Sequence, residues 1–127
     1  GGGWVAMNSG VSIALHGVWG SGPNDVYAVG DGGTVLHYDG NPAQDWAPVA
    51  TGVPPAGAVR DVWGSGPNDV FILANDGLDL VQWNGTAWRT VLEYSPSAGV
   101  WMYTLWGTGP RNVYAAGDVG TILHGER

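Results

Sequence analysis

Short apolar stretches alternate with glycine-rich turns along the whole chain. In residues 14–50 the apolar stretches read ALHGVW, VYAVG and TVLHY, and a less regular one begins at Trp46. The sequences between them, SGPND, DGG and DG, contain the proline, asparagine, aspartate and glycine that favour tight turns. No segment keeps a 3.6-residue apolar period over ten or more positions, which argues against helices. The pattern therefore predicts strands at 14–19, 26–30, 34–38 and near 46–50, and almost no helix.

The same pattern occurs three times. Residues 19–28 read WGSGPNDVYA, residues 63–72 read WGSGPNDVFI and residues 106–115 read WGTGPRNVYA. Strands of the second copy are predicted near 59–63, 69–74, 79–83 and 88–93, and those of the third near 102–106, 112–116 and 120–124. The chain therefore consists of three repeats of about 42 residues.

A second tryptophan marks the predicted fourth strand of each repeat. Trp46 and Trp88 have this position in the first two copies, whereas the third copy ends in HGER at Arg127 without one. The opening sequence GGGWVAMNSG supplies the missing piece, because Trp4 keeps the spacing when residue 1 is placed after residue 127. Residues 4–8 are therefore predicted to form the fourth strand of the third repeat.

Four-stranded units at this spacing are typical of an all-β fold, the β-propeller. The predicted blades cover residues 14–50, 59–93 and 102–127, and strand 4–8 completes the third. Because propellers usually have four to eight blades, three would leave apolar faces uncovered. We therefore expect two chains to form a six-bladed homodimeric ring, with residues 4–8 of each chain completing the partner's third blade. The alternative is that the chain is a fragment of a longer propeller.

The run VWGSGPNDVYAVGDGGTVLHYDG resembles the blade repeat of bacterial secreted or surface propellers. It is similar, more distantly, to the Asp-box (bacterial neuraminidase) and photosystem-assembly-factor types of propeller. The similarity lies in Gly30-Asp31-Gly32-Gly33-Thr34, in Asp39-Gly40 and in Trp46. The resemblance implies the fold and leaves the activity open, because propellers include enzymes, lectins and scaffolds.

Charge and composition exclude several kinds of partner. The chain has a net charge of −7, a pI near 4.4 and no lysine, which argues against nucleic acid and anionic membranes as partners. It has no cysteine, so disulfides and thiolate metal sites are excluded. Its apolar runs are too short to span a bilayer as helices. The acidic composition and the resemblance together predict an extracellular or cell-surface protein.

Candidate catalytic and metal-binding groups are few. The repeated turn aspartates could bind calcium, but aspartate also favours these turns for its own backbone hydrogen bonds. His37 and His124 have equivalent positions in different repeats, and the second copy has Gln82 there, so no zinc site is predicted. Glu93 and Glu126 are the only glutamates and form no obvious glycosidase pair. We therefore expect no enzymatic activity, no cofactor and no metal.

The tryptophans remain as candidate functional residues. Trp19, Trp63 and Trp106 are expected to pack between blades. The outer-strand tryptophans and the turns beside them could bind sugars, since indole rings stack on the apolar faces of sugar rings. One weak site per blade would give avidity, as in a lectin. This hypothesis assigns carbohydrate binding to Trp4, Trp46, Trp88, Asp39 and Asn84. The alternative is a structural or protein-interaction propeller in which every tryptophan belongs to the core.

Overall fold

The computed structural model describes residues 3–41, 43, 46–93 and 100–126. Within these residues the chain forms eleven strands and two single 3-10 turns, Asn75–Gly77 and Asp118–Gly120. The strands are β1 Leu15–Gly22, β2 Asp25–Gly30, β3 Thr34–Tyr38, β4 Ala47–Pro48, β5 Asp61–Gly66, β6 Asp69–Ala74, β7 Asp79–Trp83, β8 Trp88–Glu93, β9 Met102–Gly109, β10 Asn112–Gly117 and β11 Ile122–Glu126.

These strands form three antiparallel sheets in which each strand pairs with its neighbour in sequence. The sheets have the orders β1-β2-β3-β4, β5-β6-β7-β8 and β9-β10-β11, and we call them blades 1, 2 and 3. The all-β prediction with three repeated sheets is therefore confirmed. The second and third strands of blades 1 and 2 lie within one residue of their predicted positions, because apolar runs bounded by turn residues leave little choice of register.

The turn between the first two strands of a blade is tighter than predicted. The sequence SGPND is expected to form a turn over residues 21–25, with the first strand ending at Gly20. In the structure Gly22 pairs with Asp25, after a register shift that follows Gly20, and Gly66 pairs with Asp69 in blade 2. The expected strand end is therefore wrong: β1 and β5 continue through the serine, and only the Pro-Asn pair forms the turn.

The hairpin between the second and third strands needs a left-handed backbone, as its glycines suggest. Gly32 and Gly33 both have φ of +69°. The equivalent residue of Gly32 is Asp76 in blade 2, with φ of 60°, and Val119 in blade 3, with φ of 50°. The same backbone turn thus recurs in all three repeats, even where the glycine is replaced.

Residues 4–8 do not form a strand in the single chain. They lie in an exposed segment without regular structure, and Trp4 is fully exposed. The part of blade 3 that the structure describes has three strands, and β11 has a partner only on the side of β10. The pairing of residues 4–8 with blade 3 of a second chain stays a prediction.

The core lies between the blades. Side chains alternate along a strand, so each blade has a forward face toward the next blade and a back face toward the previous one. The forward face of blade 1 packs on the back face of blade 2, and the forward face of blade 2 packs on the back face of blade 3. Blade 2 is therefore covered on both sides, and Ile72 and Leu73, on its opposite faces, are both buried. The second and third strands of blade 2 are apolar on both faces, as expected for a sheet that is covered on both sides.

Candidate functional site

Each packed pair of blades is locked by a tryptophan that lies on a glycine. Trp19, on the forward face of blade 1, lies on Gly64 in the inner strand of blade 2. A Cβ atom added to Gly64 would lie 2.6 Å from Trp19 Cη2. Trp63 lies on Gly107 of blade 3 in the same way, at 2.5 Å from such a Cβ. Only glycine permits this approach, and we call such a glycine the socket. Each repeat contains one tryptophan and one socket at these positions.

Among the described residues, one of these tryptophans and one of these glycines lack this contact. Trp106 is the equivalent residue on the forward face of blade 3, and it is 63% exposed. Gly20 is the equivalent socket in blade 1. A Cβ added there would meet Asp25 and Val26 of its own blade and no tryptophan. We call the contact between such a tryptophan and glycine the lock. The forward face of blade 3 thus carries the tryptophan of a lock, and blade 1 carries the glycine of a lock.

The residues around Trp106 extend the uncovered apolar surface. On the forward face of blade 3, Tyr114 pairs with Trp106 across the strands, and Ile122 is 71% exposed. The same positions of blade 1, Tyr27 and Val35, are buried against blade 2. We call the exposed set, Trp106, Tyr114 and Ile122, the forward patch.

The back face of blade 1 is uncovered in part, since Val18 is exposed there whereas Ala28 and Leu36 on the same face are buried. Val18 is 67% exposed there, whereas its equivalents Val62 and Leu105 are buried against the preceding blades. Met7 of the N-terminal segment and Leu36 line a shallow cavity of about 450 Å³ on this face. We call Val18 and Gly20 the back patch.

A carboxylate also ties blade 2 to blade 3. Asp61 Oδ2 accepts hydrogen bonds from the backbone N–H of Leu105, at 2.7 Å, and from the Thr104 hydroxyl, at 3.2 Å. Its Oδ1 accepts from the Val62 N–H at 2.9 Å. The equivalent residues of the other repeats are Gly17 and Thr104, so this clamp occurs once.

Replacing Asp61 with alanine is expected to lower the free energy of unfolding by about 1–3 kcal/mol, because the Leu105 amide loses its acceptor. Asp61→Asn, which keeps one acceptor oxygen, should lose less. Urea denaturation followed by tryptophan fluorescence measures both. The control is Asp39→Ala, which removes an exposed aspartate from a local turn. If Asp61→Ala and Asp39→Ala unfold at the same urea concentration, the clamp does not stabilise the blade junction.

A polar network that the sequence analysis missed recurs within the blades. In blade 1 the Ser21 hydroxyl donates to Asp25 Oδ2, and His37 Nε2 donates to Asp25 Oδ1 at 2.7 Å. In blade 2 the same positions hold Ser65, Asp69 and Gln82, with 2.8 Å between the Gln82 amide and Asp69. The recurrence of Ser and Asp at equivalent positions was the signal that could have revealed it.

This network is not the arrangement of a serine hydrolase. In such an enzyme the imidazole bonds to the serine hydroxyl and removes its proton. Here the hydroxyl of Ser21 and the ring of His37 both bond to the carboxylate of Asp25, so neither activates the other. The network fixes the first turn of the blade to the third strand. Within the described part of the chain, no three His, Asp or Glu side chains form a metal-binding group.

Two of the predicted carbohydrate-binding tryptophans pack against other aromatic rings. Trp88 contacts Tyr27 edge-on, at 6.1 Å between ring centroids, and Trp83 at 5.6 Å. It is half-buried and packs against the core between blades 1 and 2. Burial, and then the nearby Asp25 carboxylate, raise the pKa of Tyr27 above its ordinary value, as expected for a core phenol. Trp46 is half-buried and stacks on Tyr38 at 5.4 Å.

The other three predicted residues lie apart from these rings. Asp39 and Asn84 accept hydrogen bonds from the backbone two residues on, which stabilises their turns, and Trp4 is exposed in the N-terminal segment. Among the described residues, no hydrogen bond or ring contact joins two of the five predicted residues. Carbohydrate binding by these residues stays a prediction.

A groove of about 800 Å³ lies between the outer halves of blades 2 and 3. Its walls are mainly apolar, with Arg89, Arg111 and Asp79 among the charged residues that line it. We call it the outer groove. Its lining includes Phe71, Leu80, Leu92, Leu123 and Gly125.

Repeated four-stranded meanders packed face to face define the fold as that of β-propeller blades. No protein-family model and no curated protein sequence matches this chain. Among solved structures, it is similar to YCF48 bound to D1 peptide, with a TM-score of 0.73 and 14% identity over 94% of this chain and 39% of that one. It is also similar to YCF48 from Cyanidioschyzon merolae, with a TM-score of 0.70 and 22% identity over 90% of this chain and 34% of that one.

The chain thus spans between a third and two fifths of the length of these structural neighbours. At these identities the similarity establishes the fold. It also agrees with the expected similarity to propellers of the photosystem-assembly-factor type, whereas the similarity to Asp-box propellers stays a prediction. No helix among the described residues is long and apolar enough to cross a membrane.

Proposed function

We propose that this protein is a non-enzymatic propeller that acts by binding other proteins, and that its first partner is a second copy of itself. The observation that carries the proposal is the unpaired lock, in which Trp106 has no socket and Gly20 has no tryptophan. Within the chain this lock is already made twice, between blades 1 and 2 and between blades 2 and 3. A contact between Trp106 of one chain and Gly20 of another would repeat the same arrangement.

Two chains close such an array. The forward patch of one chain faces the back patch of the other, and the twofold axis repeats the contact at the second junction. The ring then has six blades, within the usual range of four to eight. In it every lock tryptophan lies on a glycine, and Val18 becomes buried as Val62 and Leu105 are within the chain.

The wider role proposed here is recognition of protein segments by the completed ring. One structural neighbour is a complex with a peptide, which supports this role for the same fold. The arrangement of Ser21, Asp25 and His37 supports a non-enzymatic role, because it activates no nucleophile. An extracellular location belongs to the proposal as well, and it rests on the acidic, lysine-free composition and on the resemblance to secreted propellers.

The test uses one variant in each patch. Trp106→Ala and Val18→Glu should each shift the chain from dimer to monomer at micromolar concentration, measured by sedimentation equilibrium. Both side chains are largely exposed in the single chain, so circular dichroism should show an unchanged fold.

Mixing the two variants provides the decisive control. In a mixed pair, the damaged forward patch and the damaged back patch meet at one junction, and the other junction keeps Trp106 and Val18 intact. The mixture should therefore regain dimers that neither variant forms alone. Dimerisation by either variant as strong as that of the unmodified chain, or no dimer in the mixture, would overturn the proposed ring.

A further inference from the structure

We infer that the outer groove binds the N-terminal segment of a second copy of the chain, with Trp4 as the residue that fills it and residues 4–8 as the fourth strand of blade 3. This inference rests on the proposed ring and names a further site within it. It assigns a role to the most exposed tryptophan of the described residues and to the outer groove.

The internal junction between blades 1 and 2 shows what fills the equivalent space. There Trp88, the first residue of the fourth strand β8, inserts between Trp83 of its own blade and Tyr27 of the preceding blade. At the junction between blades 2 and 3, the equivalent of Tyr27 is Phe71 and the equivalent of Trp83 is Gly125. Both line the outer groove.

The groove therefore lies where the described part of blade 3 has no equivalent of Trp88. A Cβ added to Gly125 would have a single neighbour within 4 Å outside the adjacent residues, the Val113 carbonyl oxygen at 3.8 Å. Leu80, Leu92 and Leu123 supply further apolar walls. A cavity of about 800 Å³ with such walls is large enough for an indole ring and its neighbours.

Among the described residues, no strand pairs with β11 on the side away from β10. β4 and β8 pair antiparallel with β3 and β7, and β8 does so with Trp88 opposite Trp83. The same register places Trp4 opposite Gly125, Val5 opposite His124 and Ala6 opposite Leu123. Main-chain hydrogen bonds along an open strand edge would then add to the burial of the indole.

In the proposed ring, the N-terminal segment of the second copy begins next to the blade 3 that it would complete. In the ring, blade 3 of one chain is next to blade 1 of the other, and residues 9–14 link the segment to β1. Between β8 and β9, eight residues make the equivalent connection from an outer strand to the next inner strand. Six extended residues span about 20 Å, which exceeds the roughly 14 Å between the first and fourth strands of a blade at a strand spacing of about 4.8 Å.

Cross-linking between two differently labelled chains tests the register, because the natural chain has no cysteine. One chain carries Val5→Cys and the other carries His124→Cys, so a disulfide between positions 5 and 124 can only join two chains. Mild oxidation of the mixture should give a covalent dimer on a non-reducing gel. The control pairs Val5→Cys with Thr108→Cys, on the inner strand of the same blade, and should give much less.

A second measurement tests the role of the indole. Trp4→Ala should weaken dimerisation on the order of tenfold, as expected for a buried aromatic anchor, without changing the fold of the single chain. Hydrogen exchange should show protected amides in residues 5–8 of the dimer, and Trp4→Ala should reduce that protection.

The outcomes separate this inference from the ring itself. If the unmodified chain stays monomeric, the ring and the strand exchange both fail. If it dimerises, but positions 5 and 124 cross-link no better than the control and Trp4→Ala dimerises normally, the ring stands and the role of the N-terminal segment is wrong.

Discussion

Replacing Gly107 with valine is expected to unfold the protein or bring it close to unfolding. A Cβ at this position would lie 2.5 Å from Trp63 Cη2 and 2.7 Å from the Asn112 carbonyl oxygen, closer than real atoms approach. The carbonyl belongs to the paired strand β10 and cannot move away, so Trp63 must leave the junction between blades 2 and 3. Loss of that packing together with the overpacking should cost about 3–5 kcal/mol, a large part of the stability of a small domain.

The matched control is Gly109→Val, two residues further along the same strand. A Cβ at Gly109 would have no heavy atom within 4 Å, so this variant adds the same side chain without a clash. Urea denaturation monitored by circular dichroism compares the two. If Gly107→Val and Gly109→Val unfold at the same urea concentration, the glycine socket is not what holds the blades together.

Replacing Trp88 with alanine is expected to destabilise the fold by about 2–4 kcal/mol, somewhat less than truncating a fully buried large aromatic side chain, because Trp88 is half-buried. Trp88 packs on Tyr27 and Trp83 against the core between blades 1 and 2, so its loss removes that packing. Thr90→Ala, an exposed position on the same strand, should leave the unfolding midpoint nearly unchanged.

The same variant decides between the two roles considered for Trp88. A carbohydrate-binding role predicts a stable Trp88→Ala protein that no longer binds sugars in a glycan titration. A packing role predicts a destabilised protein. Unfolding of Trp88→Ala at the same urea concentration as Thr90→Ala would therefore contradict the core role and favour the glycan hypothesis.

The strands were predictable because their signals are local and occur three times. In every copy the apolar runs of the second and third strands follow a proline-containing turn and are separated by a glycine-containing turn, and this repetition makes chance an unlikely explanation. The end of β1 was not predictable from these signals. Its extension beyond Gly20 depends on the pairing of Gly22 with Asp25 and on the hydrogen bond from Ser21 to that aspartate.

The candidate site was predictable only in part. The sequence shows that Trp106 is equivalent to Trp19 and Trp63, and that an array of three blades leaves apolar faces uncovered. It does not show that Trp19 and Trp63 each lie on a glycine of the next blade, because that contact joins residues about 45 positions apart. The hydrogen bond between Asp61 and the Leu105 amide was also not predictable, because an aspartate occurs at this position in one repeat only and so forms no repeated pattern.

The three outer-strand tryptophans have different surroundings in the structure although they share one repeat position. Sequence spacing places Trp4, Trp46 and Trp88 at one repeat position, which suggests one shared role. In the structure Trp88 is held between two blades, Trp46 is half-buried on Tyr38, and Trp4 is free of contacts in the single chain. The difference arises because only blade 2 has neighbours on both sides.

The mass of the unmodified chain in solution tests the central claim most directly. Light scattering over a range of concentrations should give twice the chain mass of 13.2 kDa, since two chains supply the six blades and pair both exposed Trp106 residues with Gly20 sockets. A species that stays at 13.2 kDa at every concentration would contradict the account, because the forward and back patches would then remain uncovered.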